Sequence, residues 1–144
     1  MREAIKTLIQ SREVCVLSTV SDGTPHCSLM SYVADDQCRE IYMLTLAGTR
    51  KYRNLSGNSA VSVLIDNREE GFGRGGNIQA LTVSGVFREI GEPAEAETIR
   101  RRLLERRPQL TELIAGGETR VFAVRATAFQ LLDGVSHSHV EVLD

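Results

Sequence analysis

The chain has 144 residues, 42% hydrophobic and 25% charged, with a formal net charge of -2. That composition excludes intrinsic disorder, and the near-neutral balance argues against a generally basic nucleic-acid binder. No apolar run approaches the ~20 residues of a membrane span, and the length suits one domain over residues 1–144.

Ile5, Leu8 and Ile9 recur at helical spacing, which predicts a short amphipathic helix over residues 3 to 11. Its start lacks the long apolar stretch of a secretory signal, and a cytoplasmic protein is expected. Val14-Cys15-Val16-Leu17 reads as a strand buried on both faces. Asp22-Gly23 is a strong hairpin signal, with the returning strand over residues 26 to 34. A third strand is predicted over residues 40 to 46, so the first three form a meander. Residues 49 to 57 then predict a helix of about two turns, capped by Thr49 and ended by a left-handed Gly57. Val61, Val63 and Ile65 alternate on the next strand. Gly71, Gly73, Gly75 and Gly76 lack the strand–turn–helix setting and lysine of a nucleotide loop, and read as a mobile loop. A long strand follows over residues 78 to 90, with a bend or bulge expected at Gly85. Helices are predicted over residues 94 to 106 and after Pro108, and a last strand over residues 119 to 132. Six strands with short connections and few helices predict a mainly β fold, a small closed or partly closed barrel.

Cys15, Cys27 and Cys38 suit neither a disulfide framework nor a zinc site. Cys15 and Cys27 are expected to be buried, and Cys38, in a polar turn, exposed. His137 and His139 share a strand face and His26 adds an imidazole, but a metal site needs more convergent ligands than these. Asp133 and His137 are candidates for the mouth of a ligand site. The arginines at 100, 101, 102, 106 and 107 interleave with glutamates, as Glu97 with Arg101, and read as a solvated face. No side-chain set suggests nucleophilic catalysis, and no catalytic acid or base is assigned.

The most informative stretch runs from Ala47 to Ala60. It holds Arg50, Lys51 and Arg53 and no acidic residue. Cations in a first helical turn oppose the helix dipole by ~0.3–1 kcal/mol each. The placement makes sense if an anion sits there, met by free backbone N–H groups, the dipole and two cationic side chains. Gly48 would let the backbone approach that anion closely.

Residues 14 to 66 resemble the pyridoxamine 5'-phosphate oxidase-like FMN-binding split-barrel family. The matching pieces are Val16-Leu17-Ser18-Thr19-Val20 with Asp22-Gly23-Thr24-Pro25, Ile41-Tyr42-Met43-Leu44-Thr45, Gly48-Thr49-Arg50-Lys51-Tyr52-Arg53-Asn54-Leu55, and Asn58-Ser59-Ala60-Val61-Ser62-Val63. Val83-Ser84-Gly85-Val86 fits the family's fifth strand. The resemblance implies a six-stranded antiparallel split barrel that dimerises, with FMN between the subunits. It places Arg50 and Lys51, with Thr49 at the same helix start, on the phosphate, and Thr45 reaching toward it. It lays the strand Ser28-Leu29-Met30-Ser31-Tyr32 along the isoalloxazine, and brings Gln79 to the flavin from the partner. It implies an oxidoreductase with a small-molecule redox partner. A flavin- or heme-binding sensor, or a deazaflavin-dependent reductase, are the alternatives on the same barrel. The chain departs from the oxidase proper. It has no tryptophan, and residues 134 to 139 have no arginine where an Arg-x-His element is expected, so pyridoxamine phosphate oxidation itself is not expected.

Overall fold

The computed structural model of the chain describes residues 1–71 and 77–144. Helix α1 (Glu3–Ser11) precedes strands β1 (Val14–Ser21), β2 (Thr24–Ser31), β3 (Val33–Ala34) and β4 (Glu40–Leu46). Helix α2 (Arg50–Gly57), β5 (Ala60–Asp66), the one-turn α3 (Arg68–Gly71) and β6 (Gln79–Glu89) follow. The chain closes with α4 (Pro93–Arg106), α5 (Leu110–Ala115), β7 (Thr119–Asp133) and β8 (His137–Val142).

One antiparallel sheet runs β2-β1-β5-β6-β7-β4-β3, with β8 on β7. β3 follows β2 after Tyr32 alone, so both ends of that order belong to one stretch of chain and the sheet curls onto itself. The fold is therefore a mainly β split barrel with peripheral helices. The six expected strands close it, and β8 is an addition that the sequence reading lacked.

Local chemistry explains the hairpin. Asp22 and Gly23 both have positive φ, 50° and 76°, as a two-residue turn matching strand twist requires. The meander holds only in part. The returning strand breaks at Tyr32, so its first part pairs with β1 and its last part with β4, while β4 pairs on its other side with distant β7. The bulge falls between Ser84 and Gly85 as expected. A Cβ on Gly85 would stand 2.6 Å from the Arg125 carbonyl oxygen, so only glycine fits that close approach.

Alternation sets the core. Leu17, Val63, Ile65, Leu81, Val83, Phe129 and Leu131 fill the barrel and α1 closes one end with Ile5 and Ile9. A second cluster lies under α4, where Ile99 and Leu103 meet Tyr42, Leu44 and Val121.

Four expectations are corrected. β1 is buried on one face only, because Val14 and Val16 point outward and are half-buried. Cys27 is exposed, since it lies on that same outer face, beside Ser18 Oγ at 3.5 Å. Cys38 is buried, because a positive φ of 56° turns its thiol inward against the core. Gly57 is not left-handed; the helix ends in extended Asn58, whose N–H still donates to Asn54 O at 2.8 Å. Gly71 closes α3, and the expected loop at Gly73, Gly75 and Gly76 lies outside the described residues.

Candidate functional site

Helix α2 starts as its sequence dictates. Thr49 is extended, and its Oγ1 accepts from the Tyr52 N–H at 3.4 Å and donates to Leu46 O at 3.0 Å. The Thr45 and Thr49 hydroxyls stand 3.3 Å apart. Thr49 has one proton, already directed at Leu46 O, so Thr45 donates to Thr49. Thr45 is buried, and in this geometry it steadies the cap rather than facing solvent. The Arg53 N–H closes the turn onto Thr49 O at 3.1 Å.

That leaves the N–H groups of Arg50 and Lys51 without an acceptor among the described residues. Their side chains also make no hydrogen bond or ion pair there, and the first turn holds no acidic residue. Arg53 instead donates to Gly48 O at 2.7 Å. A Cβ at Gly48 would meet nothing within 4 Å, so packing within the chain does not itself require glycine there.

The helix is fixed to the barrel at several points. Leu55 is buried in the core, and Asn54, also buried, donates to Thr19 Oγ1 at 3.1 Å. Thr19 pairs with His26, two residues along β2 from Ser28. The Tyr52 ring meets Phe87 edge-on, centroids 6.1 Å apart, and its hydroxyl donates to Glu89 Oε1 at 2.8 Å. Burial, and then the Glu89 hydrogen bond, hold that phenol above its ordinary pKa, with Arg120 opposing them. Asn54, Tyr52 and Arg120 were not singled out by the sequence reading. The signal available for Asn54 was a polar residue at the helical position next to Leu55. For Arg120 no local signal exists, because it meets α2 only through the long-range β4–β7 pairing.

On β2 the residues alternate. Met30 points into the core, whereas Ser28 and Ser31 are half-buried. Tyr32 is 1% exposed, its hydroxyl donates to Ile9 O at 2.6 Å and its N–H to Glu13 O at 3.1 Å. The Tyr32 side chain therefore joins β2 to α1 and is closed to a ligand in this conformation.

Gln79 lies at the opposite end of β6 from Glu89, about 33 Å away along an extended strand. A single chain does not bring it to Arg50 and Lys51. It pairs with Asp133, which pairs in turn with His137, so those three cluster at the far end of the barrel. Asn77 donates to Asp133 there. His139 and His137 share a face of β8, and His139 stands 3.2 Å from Glu141, which also accepts from the Arg2 N–H. Among the described residues, no group of His, Cys, Asp and Glu is arranged to hold a metal ion.

The outer face of the sheet is distinctive. One cross-strand row reads Leu29, Val16, Leu64, Thr82, Gln130, Val140, and the next reads Cys27, Ser18, Ser62, Ser84, Ala128, Val142. Neither row contains a charge, and Leu29 and Val142 are 76% and 79% exposed.

The structure is that of a small, mainly β split barrel whose helix α2 begins with two cations and no acidic residue. The chain belongs to the family described as pyridoxamine 5'-phosphate oxidase, whose model matches residues 1–133. No curated protein matches it in sequence. Among solved structures it is similar to a heme binding protein from Mycobacterium smegmatis, with 18% identity, 97% of this chain and 57% of that one covered, and a TM-score of 0.81. It is also similar to a FAD-binding protein from Mesorhizobium loti, with 17% identity, 94% and 96% covered, and a TM-score of 0.72. An F420 reductase shares 21% identity over 90% of this chain and 98% of that one, with a TM-score of 0.66. At these identities the likeness shows the fold. No helix among the described residues is long and apolar enough to cross a membrane.

Proposed function

We propose that this protein is an FMN-binding oxidoreductase that works as a homodimer. The observation that carries this reading is the start of α2, where Arg50 and Lys51, side chains and backbone N–H groups alike, have no partner among the described residues. A phosphate monoester carries about two negative charges at neutral pH and accepts from all four groups at once. That donor set fits the phosphate of FMN, with Thr49 and Thr45 holding the cap in place. Heme offers carboxylates rather than a phosphate, and so uses this cluster less fully.

The strand from Ser28 through Met30 and Ser31 to Tyr32 supports the ring with its backbone and half-buried hydroxyls. Gln79 reaches the ring from the partner subunit, which agrees with its distance from α2 in one chain. The two uncharged rows of the outer face, with exposed Leu29, Val140 and Val142, supply a surface for a second copy. Bound flavin supplies electron transfer, and the chain contributes position, charge and exclusion of water.

The test is to add FMN, heme or a deazaflavin separately to the purified, cofactor-stripped protein and record absorbance and sedimentation. Tight FMN uptake by a dimer is expected. A monomer that binds heme and leaves FMN free in solution would overturn the reading.

A further inference from the structure

Strand β7 carries a cation that reaches the same helix start. Arg120 lies directly opposite Thr45 in the β4–β7 register. Opposed residues in an antiparallel pair project from one face with Cβ atoms about 5 Å apart. Thr45 touches Thr49, the cap of α2. The charge of Arg120 is also felt at Tyr52, in the first turn, where it opposes the rise of the phenol pKa. Arg120 is thus placed beside Thr45, whose hydroxyl meets the cap from which Arg50 and Lys51 follow.

Its present partners are weak ones. Nη1 donates to Glu118 Oε1 at 2.6 Å and touches Thr119 O at 3.4 Å. The two side chains are 37% and 69% exposed, and exposed pairs of this kind contribute little to stability. A phosphate offers more charge and several oxygens, and a planar guanidinium can grip two of them.

We propose that Arg120 is a third cation of the anion site, held by Glu118 until a phosphate monoester displaces that carboxylate. This rests on the reading that α2 receives the flavin phosphate. The proposal makes Glu118 a brake. It competes with the ligand for Arg120, so removing its charge tightens binding through Arg120.

The experiment is an FMN titration of wild type, Arg120→Gln, Arg120→Lys, Glu118→Gln and the double variant Arg120→Gln/Glu118→Gln, with riboflavin as the control. Arg120→Gln should weaken FMN about tenfold and leave riboflavin unchanged. Arg120→Lys should lose only about threefold, because the charge stays and the fork goes. Glu118→Gln should tighten FMN about threefold, and that gain should vanish when Arg120 is already Gln. FMN affinity of Arg120→Gln within about twofold of wild type would overturn the proposal. So would an equal gain from Glu118→Gln in both backgrounds, which would make Glu118 a long-range charge only. Arg50→Ala in parallel separates the two readings. If it also leaves FMN affinity unchanged, the α2 site itself is wrong.

Discussion

Two cation-rich helices of this protein use their charges in opposite ways. In α4 the arginines are committed. Arg102 donates to Ala34 O at 2.6 Å, and Arg106 donates to Gln10 O at 3.0 Å and Arg12 O at 2.8 Å. Arg100 and Arg101 face Glu97 at 3.4 and 3.8 Å. The charge order also suits the helix dipole, with Glu95 in the first turn and Arg106 in the last. Even the cap is anionic, since Glu92 accepts from the Ala94 and Glu95 N–H groups, which hold its carboxyl below the usual carboxylate range. In α2 the order is reversed and the first-turn cations have no partner among the described residues. The number of basic residues therefore does not mark a site. What marks it is whether the fold has already supplied acceptors.

Mutating one helix and then the other sharpens this contrast. The largest effect expected is on ligand affinity. Arg50→Ala should weaken FMN about ten- to hundredfold, since a charge-assisted bond is worth ~1.5–3 kcal/mol. The ligand-free melt should not fall, because losing a cation at a helix start relieves a dipole conflict. Arg106→Ala should do the reverse. It frees two backbone carbonyls that join α4 to the α1 end, at about 1–2 kcal/mol, and lowers the melting temperature by ~2–8 °C with FMN affinity unchanged. Lys51→Ala should weaken FMN by about three- to tenfold, less than Arg50→Ala, because an ammonium lacks the bidentate fork. Arg101→Ala should change neither quantity measurably, its side chain being 68% exposed and its ion pair loose. Calorimetry for binding and thermal melts with and without FMN read all four.

The contrast was only half legible in the sequence. The reversed charge order of α2 could be read directly, as could its Thr49 cap, the Asp22-Gly23 turn, the β4 boundaries and the Gly85 bulge. Each of these is local chemistry in a few adjacent residues. The commitment of the α4 arginines could not be read, because their acceptors are carbonyls some 70 to 95 residues away in sequence. Long-range pairing hid Arg120 for the same reason. β8 was missed because it is an edge strand, with polar His137, Ser138 and His139 ahead of two exposed valines that flank Glu141, so burial imposes no clear apolar alternation. The cysteines were misjudged in opposite directions. Neighbouring polarity suggested that Cys38 faces water, whereas a single left-handed φ turns it inward. An apolar neighbourhood suggested that Cys27 is buried, whereas alternation puts it on the outer face. Burial of Cys15 was read correctly, and desolvation pushes its thiol up to about 12.

The central claim is that α2 presents uncommitted positive charge to a phosphate. It is tested most directly by titrating wild type and Arg50→Ala with FMN and with riboflavin, which differ only by that phosphate. Wild type should prefer FMN by about tenfold or more, and the preference should shrink sharply in Arg50→Ala while riboflavin affinity stays the same. Equal affinity of wild type for the two ligands would contradict the account.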